Sequence, residues 1–316
     1  MPSRPPVASP SRISGAIDIV CNPFTPLEVA EKQVGVDDHF YEKVRVPEQA
    51  RAGLPMAEYV AKMDRAGIER SLLVSVRAGD MRVKHSFAIP YERIAEYCEQ
   101  FPGRFHGLAG IDASRIMPSL RELERAITEL GFVGAHLYPH WFERPPDDAW
   151  YYPFYAKCCE LDVPIMMQIG HCLDYQRDRI LPSVGRPIAL DRVAIDFPDL
   201  KLIGIHLGWP WTEEMIAVCF KHANVYMAGD AYAPKHWPPE YLRYLDSWGQ
   251  DKCLFGTDWP VIDPERAMQE VEQLPIREES RAKFLRENAM QLFRLPDTQR
   301  PAPSTTATTV TAADPA

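Results

Sequence analysis

Short apolar runs and amphipathic stretches alternate along most of this chain, and the alternation predicts its architecture. Eight runs are rich in aliphatic residues and end in polar residues or glycine: Ile17–Val20, Ser71–Val76, Phe105–Gly110, Val133–Leu137, Pro164–Ile169, Leu202–His206, Val225–Ala228 and Cys253–Gly256. Most are continuous in their apolar character, as strands covered on both faces should be. Helical periodicities lie between them. Met56, Tyr59, Val60 and Met63 fall on one face; Leu120, Leu123, Ile127 and Leu130 fall on another, with Gly131 just beyond as a C-terminal stop. Thr212 is placed to cap a helix that begins with Glu213 and Glu214, and the run from Arg277 to Phe293 predicts a long final helix. Strand–helix alternation repeated eight times predicts an α/β fold, a distorted (β/α)8 TIM barrel over residues 15–295. An open doubly wound sheet shares the local pattern, but no GxGxxG follows any strand to support its nucleotide-binding form.

Length and composition sharpen this picture. A chain of 316 residues fits one barrel with its loops better than two average domains. Residues 1–14 (MPSRPPVASPSRIS) and 296–316 (PDTQRPAPSTTATTVTAADPA) hold too little apolar surface to offset their ordering entropy, so both are expected to be disordered arms. The first lacks the apolar segment of a secretory signal. Seven cysteines, an odd number with no CxxC pair, read as reduced thiols of a cytoplasmic protein and argue against a structural zinc knuckle. No stretch of 18 apolar residues occurs, so no membrane span is expected, and a net charge of −9 opposes a nucleic-acid surface. The expected partner is a small-molecule substrate.

In such a barrel the interior is packed and chemistry sits where strands end. Polar residues recur there: Asp18, Arg77, His136, Gln168, His171, His206, Asp230 and Asp258. Gly-Trp-Pro-Trp begins two residues after His206, and Asp258 sits in the turn GTDWP. Both types suit proton transfer or metal ligation, whereas their plain structural roles are a hydrogen-bonded histidine and a turn aspartate. His171, after Gly170, is a third candidate for the same work. Arg77 opens a charged loop with Asp80, Arg82 and Lys84; it either grips a substrate carboxylate or is simply solvated. The aromatic-rich stretch from Tyr138 to Tyr152, with His136, Tyr138 and Trp141 near its start, offers either a flat wall for a planar acid or a packing lid.

Taken together, the runs IALDRVAIDFPDLKLIGIHLGWPW, HANVYMAGDAYAP and DKCLFGTDWP resemble the amidohydrolase-related family, with aminocarboxymuconate semialdehyde decarboxylase-like and resorcylate decarboxylase-like members. The likeness spans about Ile17 to Leu295 and is strongest from Tyr151 to Pro260. It implies an HxH pair after strand 1, a histidine at strand 5, a histidine at strand 6 and an aspartate after strand 8. His206 and Asp258 match the last two, while the other positions hold Val20, Asn22 and Gln168. The chain is thus similar to a divergent subgroup that lacks the HxH and carries QxGH at strand 5.

These departures bear on the metal. Val20 cannot ligate, and Asn22 and Gln168 are weak neutral donors. A divalent ion, zinc or similar, would have to be held by His206, Asp258 and His171, with His136 or Cys21 completing the set. Two functional readings follow. The first is an enzyme acting on a small planar or aromatic carboxylic acid or lactone, by hydrolysis or non-oxidative decarboxylation. Asp258, His206 and His171 would be its catalytic residues, and Arg77, Gln168, His136, Tyr138 and Trp141 its substrate contacts. The second is a catalytically silent barrel, in a homo-oligomer or in a hetero-oligomer that stabilises an active metal-containing paralogue such as an oxygenase. Trp209, Trp211, Trp237 and Trp248 would then be interface anchors.

Overall fold

The computed structural model describes residues 15–296, so the expected arms, apart from Pro296, lie outside the described residues. Eight parallel strands form one sheet in chain order: β1 (Ala16–Cys21), β2 (Ile68–Ser75), β3 (Phe105–Gly110), β4 (Gly134–Leu137), β5 (Ile165–Gln168), β6 (Leu202–Ile205), β7 (Val225–Gly229) and β8 (Cys253–Phe255). Each overlaps one predicted run. The crossover helices are α1 (Met56–Ala66), α2 (Tyr91–Gln100), α3 (Ile116–Thr128), α4 (Tyr152–Glu160), α5 (Ala189–Asp196), α6 (Thr212–Lys221) and α7 (Pro239–Leu245), and α8 (Pro264–Glu272) follows β8. All residues of β4, β5 and β6 are buried, as both-face coverage requires. The predicted final helix runs from Glu278 to Leu292, with a π-helical turn at Lys283–Glu287.

The sheet is a barrel and not an open layer, because β1 and β8 meet at their C-terminal ends. Asp258 N–H donates to the Val20 carbonyl at 2.8 Å, and Asn22 N–H donates to the Trp259 carbonyl at 3.3 Å. Asp18, fully buried in β1, fastens this seam. Its Oδ1 accepts from the N–H groups of Val20 (3.1 Å) and Thr257 (2.9 Å), and its Oδ2 accepts from the Thr257 hydroxyl (2.6 Å). Buried donors need partners, and one carboxylate here satisfies three.

Two local expectations change. Thr212 is the first residue of α6 and caps nothing; Trp211 holds the cap position because its N–H is tied to the Gly208 carbonyl at 2.9 Å. The stretch after β1 contains three short helices, Pro26–Ala30, Asp38–Val44 and Glu48–Arg51, which the sequence pattern did not predict. They are too short for a 3.6-residue period to register, and caps at Thr25 and Asp37 start the first two. Of the tryptophans considered as anchors, Trp237 is core, whereas Trp248 is exposed and packs on exposed Phe220 with ring centres 4.9 Å apart. All seven cysteines are free thiols, and no helix among the described residues is long and apolar enough to cross a membrane.

The seam predicts a stability phenotype. Thr257→Val keeps the shape but leaves Asp18 Oδ2 without its hydroxyl donor and Trp259 N–H without its acceptor, 3.1 Å away. The expected loss is about 3 kcal/mol of unfolding free energy. Thr257→Ser should behave as the parent in the same denaturant titration, and equal midpoints for all three proteins would contradict the role given to the seam.

Candidate active site

The rim of the barrel gathers side chains from β5 to β8. Gln168 ends β5 and is in register with Ile205, so His206, the next residue, stands beside it. The chain then turns through three consecutive left-handed residues, His206 (φ 63°), Leu207 (57°) and Gly208 (65°). Asp258 is also left-handed, with φ 54°. Such conformations cost about 1 kcal/mol or more at non-glycine residues and persist only where neighbours enforce them. At His206 the enforcing contact is its N–H to Asp230 Oδ1 at 2.6 Å; at Asp258 it is the bond to the Val20 carbonyl across the seam.

Burial sets the protonation states. The Asp258 carboxyl is pushed up to about 7 by burial, opposed by the hydrogen bond from Asn22 and reinforced by nearby Asp18. Asn22 Nδ2 donates to Asp258 Oδ1 at 3.0 Å and to the Trp259 carbonyl at 2.9 Å, which leaves Oδ2 as the oxygen to carry a proton. Asp230 is raised well above the usual carboxylate range by burial and by Asp258. His206 is lowered to about 3 by burial and then by His140, so its ring is neutral, with Nδ1 3.6 Å from Asp230 Oδ2. His136 is likewise lowered to about 3, by burial and by His206. Both its ring nitrogens are buried without partners, and its ring lies 4.2 Å from that of Tyr138. Gln168 Nε2 donates to the Tyr175 hydroxyl, while its Oε1 has no partner. At neutral pH the floor therefore holds neutral imidazoles and a carboxyl near its midpoint, a set built to keep and release a proton.

Two cavities meet at this floor. The inner one has about 90 Å³ of space for water-sized molecules and mostly apolar walls, including Phe24, Phe40, Phe87, Tyr138, Trp141 and Tyr175. The outer one, about 600 Å³, opens beyond it, and Gln168, His206 and Asp258 face both. The structure thus brings together Asp258, His206, Gln168, Tyr138 and Trp141. His171 joins Gln168, His206 and Asp258 in lining the outer cavity, where it is exposed, but does not reach the inner one, and His136, packed against Tyr138, lines neither space. Arg77 also lines neither. Its guanidinium lies 4.8 Å over the Tyr91 ring and reaches Glu122 at 3.6 Å, so it is no carboxylate clamp for these cavities.

Sequence reading undervalued three contributors. Asn22 was weighed only as a weak ligand, yet it is the hydrogen-bond partner of Asp258. Asp230 was noted at a strand end without a role, and the roof supplied by Phe24, Phe40 and Phe87 comes from loops after β1 and β2. An Asn just past the end of the first strand, with an Asp in the turn after the last, was the available signal for the first.

The donors do not fit a zinc- or manganese-type centre. Among the described residues, no group of three or more His, Cys, Asp or Glu is arranged to hold a metal ion. The amide N–H of Asn22, and not its oxygen, faces Asp258. Val20 fills space beside the floor: a Cβ added to Gly256 would lie 2.9 Å from Val20 Cγ2. Charged or imidazole donors are what such ions need, and here methyl groups stand in their place.

Known proteins place these features in context. The family profile described as Amidohydrolase matches residues 24–295. The chain is 35% identical over 164 residues to a 2-keto-4-carboxy-3-hexenedioate hydratase of Sphingobium sp., covering 44% of this chain and 46% of that one, less than half of the hydratase. It is 27% identical over 287 residues to a gamma-resorcylate decarboxylase of Polaromonas sp., covering 75% of this chain and 86% of that one. Among solved structures, an uncharacterized TIM-barrel protein of Bordetella bronchiseptica superposes with a TM-score of 0.75 at 24% identity, over 89% of this chain and 99% of that chain. A dihydroxybenzoic acid decarboxylase of Polaromonas sp., solved with bound manganese and 2-nitroresorcinol, superposes with a TM-score of 0.67 at 22% identity, over 90% of this chain and 98% of that chain. These likenesses show the barrel fold.

The donor set predicts how the purified protein treats manganese. Calorimetric titration of Mn²⁺ into the full chain should give no saturable site of one ion per protein. A stoichiometric site abolished by His206→Ala would contradict the reading of the floor as unsuited to a metal.

Proposed function

The chain belongs to the amidohydrolase family, and on that premise we propose that it is a carboxy-lyase that decarboxylates a small aromatic carboxylic acid without oxidation. The supporting observation is Asp258, a carboxyl held up to about 7 where an apolar, aromatic-walled cavity meets the barrel floor. The relatives named as decarboxylases of aromatic acids support the same class of substrate.

The ring of the substrate lies against Tyr138, Trp141 and Tyr175, with its carboxylate in the apolar space. Asp258 Oδ2–H gives its proton to the ring carbon that bears the carboxylate. The bond between that carbon and the carboxylate breaks, its electron pair restores the aromatic ring, and carbon dioxide leaves. Asn22, donating to Oδ1, stabilises the Asp258 carboxylate that this creates, and a proton from solvent returns it to the acid form. The neutral ring of His206 and the free Oε1 of Gln168 are hydrogen-bond partners for a ring hydroxyl. No step passes through a metal, since the donors do not suit one.

The same features weigh between the readings open at the outset. Hydrolysis of a lactone calls for an ionised base and a water-holding chamber, and this cavity is apolar. A catalytically silent subunit accounts for Val20 but leaves the open space over a protonated Asp258 without use.

Carbon dioxide release from a panel of hydroxybenzoates tests the proposal. Asp258 must be protonated to act, so kcat should be level below about pH 7 and fall as pH rises through that value. Asp258→Asn should lose roughly 10²–10⁴-fold in kcat. A rate that climbs with pH through 7, or full activity in Asp258→Asn, overturns the role of Asp258 as the acid.

A further inference from the structure

The two cavities differ in charge as well as size. The wall of the outer cavity carries three cationic side chains, Arg45, Lys235 and Arg266, and its one acidic side chain is Asp258 itself. This occurs in a chain with 44 acidic and 35 basic residues. The cations come from three separate segments: Arg45 follows the helix Asp38–Val44, Lys235 lies in the turn after β7, and Arg266 is in the first turn of α8. Lys235 and Arg266 share one neutralising partner, Glu270, at 3.9 and 2.8 Å. Three positive charges less Glu270 leave +2 at the mouth of the site while Asp258 is protonated, and +1 once it ionises. Arg45 has no carboxylate partner among the described residues. Its left-handed backbone, φ 60°, caps the C-terminus of the helix Asp38–Val44, where its N–H donates to the Glu42 and Tyr41 carbonyls.

One departing carboxylate does not account for this arrangement. The floor already provides for that group in an uncharged, apolar space, and carbon dioxide is neutral once formed. Arg45 and Lys235 are exposed and line the outer cavity alone, whereas Asp258 and His206 line both. We propose that the substrate is an aromatic diacid, in which Arg45 and Lys235 hold a second, retained carboxylate in the outer cavity while the departing carboxylate occupies the inner one. This inference rests on the decarboxylase reading for which carboxylate is lost. Binding energy from the retained group draws the departing one into a space that strips its water and suits neutral carbon dioxide. The guanidinium of Arg45 matches a carboxylate in a two-point geometry that Lys235 supplements as a point charge.

Isophthalate and benzoate separate this inference from the parent reading, because neither carries an activating hydroxyl and both are measured as ligands without turnover. Calorimetry on the full chain at low salt should show isophthalate binding roughly tenfold or more tighter than benzoate. High salt should shrink that preference. Arg45→Gln should remove most of it while leaving benzoate affinity unchanged, and Arg121→Gln, on α3 away from both cavities, should change neither. Equal affinity for the two acids, or a preference intact in the Arg45→Gln, Lys235→Gln double variant, overturns the diacid inference whether or not carbon dioxide release is found. A charge-dependent preference for isophthalate, with no carbon dioxide released from any aromatic mono- or diacid, overturns the decarboxylase reading and leaves the anion site standing.

Discussion

Everything at the rim depends on one buried carboxylate, that of Asp18. By accepting from Val20 N–H, Thr257 N–H and the Thr257 hydroxyl, it ties the first strand to the turn after the last. That tie lets Asp258 keep its left-handed backbone and brings Asn22, 236 residues away in sequence, within 3.0 Å of it. A barrel whose first and last strands met less firmly would have no defined place for the acid. Burial raises the Asp18 carboxyl itself to about 7, against the hydrogen bonds from Thr257 and Val20, and in its ionised form its charge adds to the burial that keeps Asp258 protonated.

The rim is an expensive piece of structure. Left-handed residues at His206, Leu207 and Asp258 and an unpaired Oε1 on Gln168 each work against folding. The apolar core beneath, with β4, β5 and β6 wholly buried, supplies the stability that tolerates them. Concentrating unsatisfied polar atoms and strain in one place is how a site is held ready for a ligand that completes its hydrogen bonds.

Much of this was legible in the sequence. The eight strands were, because both-face burial writes continuous apolar runs, and so were His206 and Asp258, because each stands at a strand end beside a Trp-Pro turn. The absent metal pair was visible as Val20 and Asn22. Other features were hidden for physical reasons. Short capped helices after β1 carry no readable period, so the roof that shapes the inner cavity was missed. Arg77 looked like an anion clamp by its place in the chain, yet its direction depends on Tyr91 and Glu122, which only the packed structure brings near. The partnership of Asn22 with Asp258 joins the two ends of the barrel, and no local pattern announces a contact of that kind.

The central claim is that Asp258 is an acid held protonated near neutrality by burial in a floor whose donors do not suit a metal. It is tested most directly by following its side-chain carboxyl by ¹³C NMR across a pH titration, identifying the signal by its loss in Asp258→Asn. The account predicts a midpoint near 7, within about a unit. A midpoint near the ordinary value of 3.8 would contradict it, since an already ionised Asp258 has no proton to give.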